Sequence, residues 1–361
     1  MADRRSSRFI VKIGSGCLTA SVAGRVEVDR NTLYRLAADM SRAAEAQDAD
    51  VIVVSSGAVA LGVEALGLEA RPTELADVQA MAAVGQSILM SLWRDAFLRT
   101  GRQAGQVLLT HSDLADRQRY LNIRATLDNL LGRGVVPVIN ENDTVMTDEI
   151  TVGDNDRLAT QVAKLVGANR LLLLSTVPGL LDASGAVVPV VGPDDRPEEH
   201  LQDTRSSMGR GGMASKLAAA RAGTHGGVDV FIANGRQPSV VSEVLSGLAV
   251  GTRFTADRRA LSSRKHWIAY TLKPHGVLRL DDGATQAVEG SGASVLAVGV
   301  ASVEGTFGAG EVVSLEGANG REIGRGLVRL GSDDLRSALL ARTPGAAPVV
   351  HRDDLVVFQA P

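Results

Sequence analysis

Up to Phe254, short runs of consecutive apolar residues alternate with longer segments whose apolar residues recur every three or four positions. A short continuous apolar run is typical of a strand that is buried on both faces of a sheet. We predict six such strands, at 9–13, 51–54, 106–110, 135–139, 170–174 and 228–233.

The segments between these strands show the spacing of amphipathic helices. In the first segment, apolar residues from Leu33 to Ala44 fall on one helical face, and Asp29 or Asn31 precedes them as a cap. Further helices are predicted at 74–98, 117–131, 155–166 and 213–222. Strands that alternate with helices indicate an α/β fold, a mostly parallel sheet sandwiched by helices, in which ligands bind beyond the carboxyl ends of the strands.

The pattern changes after Phe254. Residues 256–264 are polar and are predicted to form a linker between domains. From Trp267 onward, short apolar runs separated by Gly and Asp turns predict a small β-rich domain. We therefore expect a larger α/β domain at residues 1–258 and a smaller β-rich domain at residues 266–361.

Composition narrows the class of protein. The net charge of −3 gives no overall basic field for nucleic acid. The single cysteine, Cys17, excludes an internal disulfide and a cysteine-built zinc site, and the six histidines lack metal-ligand spacing, so no protein-held metal is predicted. We see no secretory signal, and no apolar run approaches the ~20 residues of a membrane span. A reducing cytoplasm is the expected location.

Two short polar blocks, 140–143 and 153–156, are the strongest signs of a binding site. The first, Asn-Glu-Asn-Asp, follows a predicted strand, and the second, Gly-Asp-Asn-Asp, opens a predicted helix. Neither suits a packed core, because an unpaired buried carboxylate is strongly unfavourable. Such side chains can bind an ammonium group, a carboxylate or hydrated Mg²⁺. We expect both blocks to converge at the carboxyl edge of the sheet.

The first predicted strand contains a lysine and is followed by a glycine turn. Lys12 lies within that strand, where its ammonium group must reach solvent or find an anion. The turn Gly14-Ser15-Gly16 has Thr19 where a dinucleotide-binding fingerprint needs a third glycine, which disfavours a nicotinamide-binding fold. The same turn still allows a phosphate to approach backbone amides closely.

A second lysine closes a glycine-rich stretch. Residues 209–216 read Gly-Arg-Gly-Gly-Met-Ala-Ser-Lys and open a predicted helix. Their backbone amides and the ammonium group of Lys216 suit the phosphates of a nucleotide, although a loop that is merely rich in glycine is the alternative. The chain contains no Gly-Lys dipeptide, so this is not a Walker loop.

Together these motifs resemble the amino acid kinase family, and within it the enzymes that phosphorylate the side-chain carboxylate of glutamate. The resemblance runs from about Phe9 to the C-terminus, and the C-terminal part is similar to a PUA domain. The resemblance implies the amino acid kinase fold and the ATP-dependent conversion of L-glutamate to L-glutamyl 5-phosphate, the first step of proline biosynthesis. The matching segments are 11–14, 55–58, 83–86, 138–143, 152–156 and 211–216.

The resemblance also implies roles for residues at matching positions. It implies catalysis by Lys12, Lys216 and Asp156, with the aspartate holding both lysines in place. It implies glutamate binding by Ser56, Asn140, Asp143, Asp154 and Asn155. It implies ATP binding by Lys12, Gly14, Ser175, Thr176, Arg210, Gly211, Gly212, Met213, Ala214, Ser215 and Lys216. Thr176, Leu181 and Arg210 depart from the residues usual in the family, all of them on the nucleotide side.

The reaction implied by the resemblance poses an electrostatic problem. The γ-carboxylate of glutamate is already ionised at pH 7, so no general base is needed, but an anion must approach a polyanion. Two lysines, Mg²⁺ and backbone amides would neutralise the charge and align donor with acceptor. ATP, Mg²⁺ and L-glutamate are thus the expected ligands. The resemblance further implies a homo-oligomer, proline as a feedback inhibitor, and glutamyl phosphate reductase as a partner.

Three other functions compete with this interpretation. The nearest is another amino acid kinase, acting on aspartate, acetylglutamate, carbamate or UMP. An RNA-binding protein is the second, because PUA domains often bind RNA. Residues 262–361 carry ten Lys and Arg against eleven Asp and Glu, a net charge of −1, whereas RNA binding usually needs a basic face. A dinucleotide-binding dehydrogenase is a distant third.

Overall fold

The structure, a computed structural model, describes residues 7–22, 25–146, 154–200, 212–257, 261–340 and 348–358. The chain divides into two compact units, unit 1 at Met1–Ala260 and unit 2 at Leu261–Pro361. Each unit has its own sheet and its own cluster of buried apolar side chains.

Unit 1 alternates strands and helices. Its described strands are β1 Ser7–Ile13, β2 Thr19–Val22, β3 Arg25–Val28, β4 Ala49–Ser55, β5 Gln103–Leu109, β6 Val135–Glu141, β7 Arg170–Ser175, β8 Val190–Val191, β9 Asp229–Asn234 and β10 Thr252–Phe254. Its described helices are α1 Ser15–Leu18, α2 Arg30–Ala46, α3 Ala58–Ala65, α4 Leu75–Leu98, α5 His111–Ala115, α6 Arg117–Gly132, α7 Asp154–Val166, α8 Met213–His225 and α9 Val240–Leu245. Short 3₁₀ turns lie at Asp143–Val145 and Pro197–His200.

Eight of these strands form one sheet in the order β5-β6-β4-β1-β7-β9-β10-β8. Each neighbouring pair is parallel except β10 with β9. Five consecutive residues of β1, Phe9–Ile13, are buried, as expected for a strand covered on both faces. The sheet confirms the predicted α/β fold. The hairpin of β2 and β3 is a separate two-stranded sheet that the sequence analysis did not predict.

Helix α2 forms as predicted, with Asp29 as its cap. The Asp29 side chain accepts hydrogen bonds from the backbone N–H and the hydroxyl of Thr32, which satisfies an N–H group that the helix leaves without a partner. Leu33, Leu36 and Met40 are fully buried on one face of the helix. The apolar spacing in the sequence therefore marks the face that packs in the core.

Helices α3 and α4 cross with their backbones in contact. A Cβ at Gly85 would lie 1.8 Å from the carbonyl oxygen of Ala58, and one at Gly62 would lie 2.0 Å from that of Met81. Only glycine fits at either position, because a side chain would overlap backbone atoms that cannot rotate away. This contact holds α4 against α3, the helix that follows β4.

Helix α4 is also long and apolar enough, by length and composition alone, to cross a membrane, which the sequence analysis did not expect. Core helices of globular proteins meet the same criteria. Here Leu89, Trp93 and Phe97 are buried, and the indole N–H of Trp93 donates to Ser55 Oγ at 2.9 Å. That bond attaches α4 to the carboxyl end of β4.

Unit 2 is built around a five-stranded, mostly antiparallel sheet in the order β12-β11-β13-β14-β15, and only β11 and β13 pair in parallel. Its strands are β11 Gly276–Leu280, β12 Val300–Gly305, β13 Val312–Glu316, β14 Glu322–Val328 and β15 Val350–Val357. Its described helices are α10 Ser263–His266, α11 Asp282–Ser291 and α12 Ser332–Leu340, with a π-helical turn at Trp267–Thr271 and a 3₁₀ turn at Ala297–Gly299. The predicted β-rich C-terminal domain is thus present, with helices that the prediction lacked.

The polar stretch predicted as a linker ends earlier than expected. Helix α10 begins at Ser263, and the guanidinium of Arg264 pairs with the Asp354 carboxylate of β15 at 2.6 Å. His266, two residues later, is buried. These contacts place the residues from Leu261 onward with unit 2, because tertiary pairing orders a segment whose composition alone resembles a linker.

Candidate active site

Four neighbouring parallel strands, β6, β4, β1 and β7, end at one edge of the sheet. In the strand register, Lys12 is level with Val54 and Leu173, and Val54 is level with Ile139. The residues that follow are Asn140 on β6, Ser56 after β4, Gly14 after β1 and Ser175 on β7. Residues predicted to act together from distant parts of the sequence are therefore neighbours along this edge.

Three ionisable side chains form what we call the charged half of the site: Lys12, Asp156 and Lys216. The Asp156 carboxylate, from the first turn of α7, is fully buried and lies 2.6 Å from Lys12 Nζ and 3.2 Å from Lys216 Nζ. Both lysines are themselves buried. One carboxylate thus holds two ammonium groups that come from β1 and from the first turn of α8.

The surroundings of Lys12 lower its pKa. Burial lowers the pKa of Lys12 below the ordinary lysine value of 10.5, and the Asp156 carboxylate opposes that shift while the ammonium group of Lys216 adds to it. An additional anion beside Lys12 would favour the charged form of this lysine. A phosphate oxygen or a carboxylate of a ligand is such an anion.

Neutral polar side chains form what we call the amide half: Ser56, Gln86, Asn140 and Asn155. The Nδ2 of Asn155 donates to Ser56 Oγ at 2.9 Å and to Asn140 Oδ1 at 3.1 Å. The Nδ2 of Asn140 donates in turn to Gln86 Oε1 at 2.8 Å. The amide half therefore links the ends of β4 and β6 to α7 and α4, next to the charged half through the adjacent residues Asn155 and Asp156.

Two helices that begin beside the charged half have glycine at the N-cap position. Gly14 is the N-cap of α1 and Gly212 is the N-cap of α8, and within the described ranges neither helix has a side-chain cap hydrogen bond. The first turn of α8 consists of Met213, Ala214, Ser215 and Lys216. The backbone N–H groups at the start of α8, together with Lys216, suit the phosphates of a nucleotide.

The residues that follow β7 lie against the first glycine turn. A Cβ at Gly16 would lie 3.1 Å from Cγ2 of Thr176, and the N–H of Gly14 donates to the carbonyl of Leu174 at 3.0 Å. The Ser175 carbonyl accepts from the N–H of Gly235 at 2.9 Å. Thr176 thus lies against Gly16, and Ser175 follows the residue that bonds to Gly14. Their nucleotide roles stay predictions.

The remaining predicted residues are placed only in part. Asp143 opens the 3₁₀ turn after β6 and is partly exposed. Asp154 is the first residue of α7, and its side chain lies outside the described part of the structure, as do Arg210 and Gly211. Cys17 is fully buried, and burial raises the pKa of its thiol.

Sequence reasoning did not assign a role to Gln86, although the segment 83–86 was among the matching motifs. Nothing in its local pattern distinguishes it, because a glutamine on an amphipathic helix is ordinarily a solvated residue. Glu141, which the sequence groups with Asn140, is buried, and its Oε1 is 3.8 Å from Nε2 of His111. His111 Nδ1 is in turn 2.9 Å from Gln161 Oε1 of α7.

Comparisons with known proteins agree with this geometry. The sequence profile of the amino acid kinase family matches residues 7–234, and that of the PUA domain matches residues 276–342. The chain is 42% identical to a glutamate 5-kinase of Geobacter sulfurreducens over 97% of both chains. It is 41% identical to the glutamate 5-kinase of Geobacter metallireducens and 40% identical to that of Burkholderia multivorans, with 98% of each chain covered.

Proposed function

Because this chain belongs to the amino acid kinase family and matches glutamate 5-kinases over nearly its whole length, we propose that it phosphorylates the side-chain carboxylate of L-glutamate with ATP. An oxygen of the γ-carboxylate forms a bond to the γ-phosphorus of ATP as the bond from that phosphorus to the β–γ bridging oxygen breaks. The products are L-glutamyl 5-phosphate and ADP. We propose that the reaction serves proline biosynthesis, as the resemblance implies, and that it takes place in the cytoplasm.

The charged half supplies the electrostatic part of this reaction. Lys12 and Lys216 would contact the phosphates and stabilise the negative charge that spreads over the transferring phosphoryl group. Asp156 would hold both ammonium groups in place, so that little reorganisation is needed when the reaction occurs. It does not need to accept a proton, because the attacking carboxylate is already ionised near neutral pH.

Mg²⁺ would arrive as its complex with ATP. In this site Asp156 is shared between two lysines, and within the described ranges no three His, Cys, Asp or Glu side chains are grouped to hold a metal ion. Phosphate oxygens are ordinary ligands of Mg²⁺, which keeps several waters in nucleotide sites. When bound, the ion would neutralise phosphate charge as the γ-carboxylate approaches.

The amide half supplies recognition of the amino acid. Ser56, Asn140 and Asn155 would position glutamate beside the charged half, with Asp143 and Asp154 nearby to pair with its ammonium group. A carboxylate partner for the ammonium would select an amino acid over a simple dicarboxylate. The two halves adjoin at Asn155 and Asp156, so a substrate held by one presents its far carboxylate to the other.

One observation carries this proposal: two buried lysines share one carboxylate directly beside a chain of polar amides at the ends of adjacent strands. The test is an ATP-dependent hydroxamate assay, in which hydroxylamine traps the acyl phosphate. Purified protein should form hydroxamate from L-glutamate and Mg²⁺-ATP, and not without either. Turnover of aspartate, acetylglutamate or carbamate with none of glutamate would instead identify another acceptor for the same site.

Proline is proposed as a feedback inhibitor that competes with glutamate, because proline has the carbon skeleton of cyclised glutamate. Inhibition should weaken as glutamate rises, through a site that overlaps the amide half. The measurement is the initial rate over a grid of proline and glutamate concentrations. Inhibition that is constant across the glutamate range would indicate a separate site. A homo-oligomer, and a reductase that consumes the acyl phosphate, remain predictions from the resemblance.

A further inference from the structure

The amides of the amide half form a directed chain. Asn155 donates to Asn140, and Asn140 donates to Gln86, with each bond made by an Nδ2 group to the oxygen of the next side chain. A side-chain amide has a donor end and an acceptor end on opposite sides. Fixing the oxygen of Gln86 toward Asn140 therefore fixes Asn140, which in turn fixes Asn155.

The start of this chain is held by the fold. Gly85, the neighbour of Gln86, lies against the backbone of Ala58, and Trp93 bonds to Ser55 at the end of β4. Seven residues before Gln86 on the same helix, Gln79 Nε2 donates to the carbonyl of Met146 at 2.8 Å. Helix α4 thus contacts β6 through Gln86 and the segment after β6 through Gln79, and its position relative to Asn140 is set by several independent contacts.

The end of the chain is an acceptor that has no partner. Both hydrogens of the Asn155 amide are used, by Ser56 and by Asn140. Its Oδ1 is buried, and among the described residues no group donates to it. A buried carbonyl oxygen without a donor is unfavourable, so the site is matched to a ligand that brings one. The ammonium group of an amino acid is such a donor.

We propose that Gln86 is a positioning residue that orients the Asn140 and Asn155 amides so that Asn155 Oδ1 faces the ammonium group of the substrate. The inference rests on the proposed function, because it takes the substrate to be an amino acid. Without an acceptor at position 86, the Asn140 amide is free to rotate. Asn155 could then turn its NH₂ group toward the ligand, and two donors would face each other.

The test compares Gln86→Met with Gln86→Glu. Methionine has nearly the same length but lacks a good acceptor, whereas glutamate keeps an oxygen that can only accept. In the hydroxamate assay Gln86→Met should raise KM for glutamate about tenfold, with kcat and KM for ATP changed less than about twofold. Gln86→Glu should retain most of the wild-type affinity for glutamate. Ser87→Ala, at the exposed next position of α4, is the matched control and should behave as wild type.

A substrate analogue separates orientation from general damage. Glutarate has both carboxylates of glutamate but no ammonium group, so Gln86→Met should affect glutarate inhibition far less than it affects KM for glutamate. Equal losses for both ligands, or a normal KM for glutamate, would overturn the inference. Wild-type protein that makes no acyl phosphate from glutamate would overturn the proposed function and this inference with it.

A double-mutant cycle tests whether position 86 acts through Asn140. Asn140→Ala removes the amide that links position 86 to Asn155, and it leaves at position 140 no group to which Gln86 could donate. Adding Gln86→Glu or Gln86→Met to Asn140→Ala should then change KM for glutamate less than twofold. A full tenfold loss in the Asn140→Ala background would show that position 86 acts by another route.

Discussion

The charged half and the amide half of the site use different physics although they are adjacent in the fold. In the charged half, three buried ionisable groups act at 2.6 and 3.2 Å through electrostatic forces that depend little on angle. In the amide half, neutral groups at 2.8–3.1 Å act through hydrogen bonds that are weaker but directional. One half is suited to holding a polyanion and the other to distinguishing one small molecule from another.

This difference predicts that substitutions in the two halves change different kinetic parameters. Charge on a transferring phosphoryl group changes during the reaction, so groups of the charged half should stabilise the transition state more than the ground state. The ammonium end of glutamate does not change, so groups of the amide half should bind both states equally. Changes in the first should lower kcat, and changes in the second should raise KM.

The largest effect is expected at Asp156. Asp156→Asn keeps the shape of the side chain but removes the charge that holds Lys12 and Lys216, so kcat should fall by about 10²–10³, the scale of losing one preorganised electrostatic group. KM for glutamate should change little. Steady-state kinetics with both substrates varied is the measurement, and thermal unfolding controls for lost stability. A rise in KM for glutamate with normal kcat would contradict separate roles for the two halves.

Asp143→Ala should have the next largest effect. It removes the proposed partner of the substrate ammonium, and a hydrogen bond to a charged group contributes about 1.5–3 kcal/mol, so KM for glutamate should rise roughly 10- to 100-fold. The same kinetic grid should show kcat within about threefold of wild type. Asn142→Ala, the preceding position, serves as a control. Equal losses in kcat and in KM would count against separate roles.

The pH dependence of activity should distinguish the halves more finely. Because burial lowers the pKa of Lys12, the alkaline limb of kcat/KM for ATP should begin below the ordinary lysine value of 10.5. Ser56→Ala, in the amide half, should weaken glutamate binding by only a few fold and leave that limb unchanged. Activity measured from pH 7 to 10.5 tests this. A limb that moves in Ser56→Ala would contradict the assignment to Lys12.

The lowered pKa of Lys12 has opposite effects on stability and on activity as pH rises. Below its native pKa, Lys12 is charged in both states and destabilises the native state relative to a solvated lysine. That cost is relieved as pH rises from the native pKa toward the unfolded value of 10.5, so the contribution of Lys12 to stability increases while activity falls. Denaturant unfolding of wild type and Lys12→Met across this window should show the stability gain in wild type only.

The smallest effect is expected from removing unit 2. Every described residue of the charged and amide halves lies in unit 1, and each unit has its own buried cluster. Truncation after Ala260 should leave kcat and both KM values within about threefold. The cut falls before Leu261 because α10 packs on β15. A soluble truncated protein with native circular dichroism and no activity would refute this independence.

The sequence alone determined six of the eight strands of the main sheet and identified the lysines and carboxylates of the charged half as candidates. Continuous apolar runs predicted the strands β1, β4, β6, β7 and β9, because a strand buried on both faces must be apolar throughout. They also predicted β5, although this strand lies at the edge of the sheet and only its last residue is buried. Lys12 in such a strand needed an anion, and the block 153–156 offered carboxylates. Helical spacing and the Asp29 cap gave α2, since both are local properties of the chain.

Only the tertiary structure decided the amide half and the limits of the units. By its local sequence Gln86 is an ordinary helical glutamine. Its helix, α4, lies beside the end of β6 because Gly62 and Gly85 allow the backbones of α3 and α4 to touch. The direction of the amide chain depends on which oxygen meets which NH₂ group across three elements, α4, β6 and α7. Likewise, the polar sequence around Arg264 is typical of a linker, and only the ion pair of Arg264 with Asp354 shows that this residue belongs to unit 2. Local pattern fixes what a segment can form, whereas long-range packing fixes which side chains meet.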